Sequence, residues 1–145
     1  MKIRRARKGD EEEIKEIVRK SLFEIFKVEP PQSVFEDLGN INKNYVLFYV
    51  AGDKNKVIGC AGLKIQRDIP RIKKMYLLKA YRRKGIGQAL LDKLIRYCET
   101  RGHKKIVLST TPEMKGAISF YKKNGFRKTR ENKKKNMVFF EKRLK

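Results

Sequence analysis

Apolar residues fall along this chain in two alternating rhythms. Ile14, Ile17, Val18, Leu22 and Ile25 recur at helical spacing and predict an amphipathic helix that Pro30-Pro31 ends. Asp10, with Glu13 three residues on, resembles a capping box at its start. Leu90, Leu91, Leu94, Ile95 and Cys98 predict a second helix over 87–101, with Gly102 as its stop. A third helix is expected over 113–123, after Pro112 and before Asn124-Gly125, and a weaker one over 32–38. Between them lie β-rich runs at 2–7, 45–51, 56–65, 71–78, 105–110, 126–131 and 137–142. Turn residues at 52–55 join two of these runs in a hairpin, and Asn132 to Lys135 join the last two. Asp68-Ile69-Pro70 reads as a break. The order is β-α-(α)-β-β-β-α-β-α-β-β, which predicts an α/β or mixed α+β sheet with helices packed on it.

A chain of 145 residues supports one domain, 1–145, with its own core. Eight Phe and six Tyr argue against disorder although 37% of the residues are charged. No apolar run is long enough for a membrane span, and the charged N-terminus is no secretory signal. A cytoplasmic location is expected. Cys60 and Cys98 are too few for a disulfide framework or a zinc site and read as buried thiols. With His103 as the one histidine, a His-rich metal site is excluded, and a turn is its expected place.

Net charge is +22, unevenly spread. Residues 1–63 hold net +2, 64–84 net +8, 85–121 net +3 and 122–145 net +9. Such a field favours polyanions, whether nucleic acid, an acidic protein or a phosphorylated cofactor. A lysine-rich composition with three Gln is also what a thermophile bias would produce.

The most informative stretch is 71–91, RIKKMYLLKAYRRKGIGQALL: a strand, a short basic loop with two glycines, then a helix. The first turn of a helix offers unpaired N–H groups at a positive dipole end. Glycines let that backbone approach phosphate oxygens, and Arg82, Arg83 and Lys84 add fixed charge. The segment lacks the Gly-Lys-Ser/Thr end of a P-loop and the three glycines of a dinucleotide fingerprint.

Arg82-x-x-Gly85-x-Gly87 resembles the Arg/Gln-x-x-Gly-x-Gly/Ala motif of the GNAT N-acetyltransferases. Ala117-Ile118-Ser119-Phe120-Tyr121-Lys122-Lys123-Asn124-Gly125-Phe126 resembles that family's Ala-x-x-Phe-Tyr-x-x-x-Gly-Phe signature. The resemblance implies a central mixed, mostly antiparallel sheet splayed between its fourth and fifth strands, with helices on both faces. It implies acetyl-CoA as cosubstrate, its pantetheine arm pairing with the backbone of Tyr76, Leu77 and Leu78. The pyrophosphate would sit on Arg83, Lys84, Gly85, Ile86, Gly87 and Gln88, with Ala89 opening the helix. A primary amine would attack the thioester directly, in a ternary complex, with a fourth-strand N–H stabilising the oxyanion. Tyr121 stands where the family supplies the acid that protonates the thiolate, a transfer uphill by roughly 2 kcal/mol at ordinary pKa values. Two positions depart from the family pattern. Arg71 stands where many relatives carry a glutamate base, and Met114 where many carry an asparagine. The base is unassigned among Glu24, Glu36, Glu113 and a water chain.

The resemblance implies a small-molecule or protein amine as acceptor, and residues 21–44 are its expected wall, with Phe23, Phe26 and Phe35 either lining it or, as their helical spacing favours, packed in the core. Two alternatives stay open: a nucleic-acid- or ribosome-binding module on the same fold, suggested by Lys133-Lys134-Lys135, and a transferase using another acyl-CoA. A monomer or a homodimer is expected.

Overall fold

The computed structural model describes residues 1–145. Seven strands follow the hydrogen-bonded order β1-β2-β3-β4-β5-β7-β6, antiparallel in every assigned pairing except β4 with β5. The element order predicts such a layered sheet with helices, and its mixed, mostly antiparallel pairing is what the family resemblance implies. The chain divides into two compact units, Met1–Lys64 with Lys73–Leu94, and Ile65–Ile72 with Ile95–Lys145.

In the first unit β1 (Lys2–Arg5) pairs with β2 (Leu47–Asp53), which turns into β3 (Lys56–Gln66). Lys54 and Asn55 both take positive φ, 50° and 66°, the two-residue turn whose twist suits a hairpin. The helix α1 (Glu11–Phe26) lays Ile14, Ile17 and Val18 against Phe48, Val50, Val57 and Cys60. Glu13 accepts a hydrogen bond from the Val57 amide (2.9 Å), which ties α1 to β3. A 3-10 stretch, Gln32–Leu38, and a short helix α2 (Ile41–Asn44) close this core with Leu38 and Ile41.

Three expectations change here. Asp10 does not cap α1; its carboxylate accepts the Arg7 amide (2.7 Å) and a two-pronged bond from Arg4 (2.7 and 3.0 Å). Glu13 is likewise spent on β3 rather than on a capping box. The helix stops before the prolines, at Lys27 in the left-handed region (φ 61°), and leaves Phe23 and Ile25 at the surface. Phe35 does pack on the core.

The strand β4 is Ile69–Leu77, and it contains the predicted break. The turn falls one step earlier, at Arg67 and Asp68 (φ 54° and 65°), and Pro70 is buried within the strand. Residues 73–77 of β4 belong to the first unit, as does the start of α3 (Ile86–Thr100), where Leu90, Leu91 and Leu94 are fully buried. Cutting any of these leucines to alanine removes about 2–5 kcal/mol.

In the second unit β5 (Lys105–Thr110) meets Ile69–Ile72 in parallel through Arg71↔Val107 and β7 (Met137–Arg143) antiparallel. The strand β6 (Arg127–Asn132) flanks β7. Burial alternates along β5 and β7: Ile106, Leu108, Val138 and Phe140 are sealed, while Val107, Phe139 and Glu141 are half-buried. The helix α4 (Lys115–Lys123) begins two residues later than predicted, because residues 112–113 form a turn. Cys98 is buried in this unit and Cys60 in the other, both as free thiols. No helix of the chain is long and apolar enough to cross a membrane.

Candidate acyl-CoA site

Within the first unit the predicted anion cradle is a built turn. Leu78 donates to Ile58 O (2.9 Å) as the strand leaves the sheet, and Tyr81 donates back to Leu78 O (2.9 Å). Arg83 (φ 63°) and Gly85 (φ 82°) then reverse the chain into α3. Gly85 is the residue suited to that conformation, and a Cβ there would meet nothing within 4 Å, so its constraint is torsional. Ala89 donates to Gly85 O (3.0 Å), so the amides of Ile86 and Gly87 precede that bond, at the positive end of the helix dipole. Arg83, Lys84 and Gly85 are exposed, while Gly87, Gln88 and Ala89 are half-buried.

Arg82 does something the sequence does not reveal. Its Nε donates to Leu77 O (3.0 Å) and its two terminal nitrogens grip the Glu24 carboxylate at 2.9 Å each. The side chain therefore braces the loop to the end of β4 and to α1. The Arg82 guanidinium hydrogen-bonds and attracts the Glu24 carboxylate, holding it below its usual pKa, which makes Glu24 a poor base. Of the other carboxylates considered, Glu36 is exposed, and Glu113 accepts both its bonds from Asn136 (2.9 and 3.1 Å).

Tyr76, Leu77 and Leu78 are half-buried along the end of β4. The preceding strand is distorted at Lys74 (φ 55°), whose carbonyl accepts from the Cys60 thiol (3.2 Å). Gly59 lies against this segment: a Cβ there would sit 2.7 Å from Leu77 Cδ1. The 3-10 stretch, the residue after α2, β3 and β4 bring together a cluster that local pattern does not announce. Asp37 accepts from Tyr45 Oη and Lys64 Nζ (2.9 Å each), with Lys74 Nζ at 3.7 Å. Burial works against its charge, but the Lys64 hydrogen bond, the Lys74 charge and the Tyr45 hydroxyl outweigh it and hold the carboxyl low.

In the second unit Tyr121 is buried, its ring edge-on to Phe120 (5.6 Å) and Phe126 (5.4 Å). Its carbonyl receives the amides of Asn124 and Phe126 (3.0 Å each), which pin the end of α4.

A sequence profile described as the Acetyltransferase (GNAT) family matches residues 11–126. The chain belongs to this family. It is 39% identical over 61 residues to an uncharacterized N-acetyltransferase of Methanocaldococcus jannaschii, covering 42% of this chain and 27% of that one. It is 29% identical over 104 residues to N-acetyltransferase 8 of Homo sapiens, covering 64% and 46%. The match thus spans less than half the length of either relative. Among solved structures, a GNAT-family acetyltransferase of Staphylococcus aureus Mu50 superposes with a TM-score of 0.88 at 27% identity over 99% of both chains. The PaiA N-acetyltransferase of Thermoplasma acidophilum, in complex with coenzyme A, gives 0.87 at 22% identity, covering 99% and 98%, a likeness of fold. The GNAT profile includes both the cradle and Tyr121.

Proposed function

We propose that this chain is an acetyl-CoA-dependent N-acetyltransferase of the GNAT family, acting on a primary amine of a small molecule or protein. The observation that carries the reading is the exposed cationic turn at Arg83, Lys84 and Gly85, which delivers the chain into the first turn of α3. Amides and fixed cations converge there as a diphosphate requires. In this reading Ile86, Gly87 and Gln88 hold the diphosphate, Ala89 opens the helix behind it, and the backbone of Tyr76, Leu77 and Leu78 aligns the pantetheine arm. Arg82 acts by positioning, through Glu24 and Leu77.

The cosubstrate supplies an activated acyl carbonyl. The amine nitrogen forms a bond to that carbon, the carbon–sulfur bond breaks, and the sulfur takes a proton from Tyr121 Oη. The nitrogen passes its proton to water, and water returns one to the Tyr121 phenolate, so the products are the amide and the free thiol and Tyr121 ends as it began. The ring packing of Tyr121 supports its role by fixing where the hydroxyl points. Residues 1–145 are read as one acyltransferase domain in the cytoplasm, as a monomer or homodimer.

Thermal melting with acetyl-CoA tests the binding half. At 100 times its Kd the ligand adds about 2.7 kcal/mol of stability, and Gly87→Trp removes the shift by blocking the cradle. A melting curve unmoved at millimolar acetyl-CoA would refute the proposal. Release of CoA across a panel of amines, polyamines, amino acids and N-terminal peptides tests the catalytic half. Tyr121→Phe keeps the thermal shift and slows turnover roughly 100-fold; unchanged turnover removes Tyr121 as the acid.

A further inference from the structure

The second unit carries a net charge of +13 in its 59 residues, and Arg71, Lys105, Arg127, Arg130 and Arg143 lie on one face of its sheet. The pairing register sets the face. Arg71, Val107, Glu141 and Arg127 lie in one row across β4, β5, β7 and β6. Lys105 and Arg143 form the row on one side. On the other, Arg130 stacks its guanidinium 3.8 Å from the centre of the Phe139 ring. Paired residues point to the same side of a sheet, so these side chains share the half-buried face of the alternation, opposite Ile106, Leu108 and Phe140.

The cations on this face are poorly neutralised. Glu141 is its one carboxylate among these rows, and it lies 3.8 Å from Lys105. Arg71 donates to the Gln66 side-chain carbonyl (3.2 Å) and meets no carboxylate. Burial lowers the affinity of Arg71 for its proton, and the charge of Arg130 lowers it further, so the two arginines repel across the face.

At the Lys105–Arg143 row the face opens into a groove of about 650 Å³, whose lining includes Asp68, Ile69, Pro70, His103, Lys104 and Glu141. That volume is typical of a small-ligand site. Its lining combines apolar side chains, cations and two carboxylates able to accept from exocyclic amino groups. Unneutralised arginines beside an aromatic ring, next to a groove with both donors and acceptors, are the combination that single-stranded polynucleotides require.

We propose that this sheet face binds a single-stranded polynucleotide, its phosphates on Arg71, Arg127 and Arg130 and one unpaired base in the groove beside His103. The binding is independent of the acyltransfer reading and uses none of the residues assigned to it. An acidic protein would use the cations but has no need of the groove, so the two partners separate in the test.

The test is fluorescence anisotropy with a labelled single strand of about 20 nucleotides, as RNA and as DNA, over a salt series. Each phosphate neutralised by the protein contributes about −0.7 to the slope of log K against log salt. Arg71→Gln with Arg130→Gln should weaken binding at least about tenfold and flatten that slope by about 1.4. His103→Ala should weaken binding and leave the slope unchanged. Replacing Lys133, Lys134 and Lys135 together by Gln removes more charge from elsewhere in the unit and should cost less affinity than the arginine pair. Melting curves matching the parent confirm that each variant is folded. Three results would overturn the proposal: no binding at about 50 mM salt, an arginine-pair variant that binds like the parent, or displacement by polyglutamate at equal charge concentration. RNA and DNA binding alike supports it; a preference for RNA identifies the source of the strand.

Discussion

Asp10 is 7% exposed and accepts three charge-assisted hydrogen bonds, two from Arg4 and one from the Arg7 amide. These bonds, Arg4's first, hold its carboxyl below the ordinary value of 3.8 against the cost of burial. A carboxylate whose native pKa is depressed contributes stability that is fully present above the unfolded value and is lost as pH falls through the native one. Glu24 and Asp37 are depressed in the same direction. Urea melts should therefore show these contributions intact at neutral pH and failing below about pH 4. Asp10→Asn should cost about 2 kcal/mol at pH 7 and shrink the acid-side loss. Equal acid sensitivity in parent and variant would show that Asp10 contributes no linkage.

At the scale of elements, α1 ends on a residue poorly suited to the job. Lys27 takes φ 61° and donates to Phe23 O (2.8 Å), the left-handed terminus that glycine usually occupies. Lys27→Gly should raise stability by about 1 kcal/mol, read as a higher denaturation midpoint with an unchanged slope. Periodicity located the elements that bury one face, such as α1, α3, β5 and β7. The run 105–110 coincides with β5, and the closing hairpin was legible from its turn residues. Periodicity failed where long-range contacts override local preference. Asp68-Ile69-Pro70 reads as a break, yet Pro70 is buried in β4 because its strand is held by neighbours on both sides. The cradle was legible because a phosphate turn is one continuous segment with a glycine at the positive φ. The Arg82–Glu24 fork and the Asp37 cluster were not, because each joins residues 58 and up to 37 positions apart.

Over the whole molecule +22 charges repel one another in 145 residues. Screening lengths fall from about 30 Å at 0.01 M salt to about 8 Å at 0.15 M. The melting temperature should rise over that range as self-repulsion is screened. The thermal shift given by acetyl-CoA should shrink over the same range, since the cradle's cations are exposed. A melting temperature that falls with salt would mean that ion pairs such as Arg4–Asp10 outweigh the repulsion. The two native sulfurs lie outside this electrostatic exposure. Burial pushes the Cys60 thiol up to about 12 and the Cys98 thiol to about 11, so neither forms a thiolate readily. A maleimide dye should leave the native protein unlabelled at neutral pH and react with both positions in urea. The chain is thus ready for site-specific fluorophore attachment: a cysteine placed on the solvent side of β6 would take up one dye, with both native sulfurs left in place.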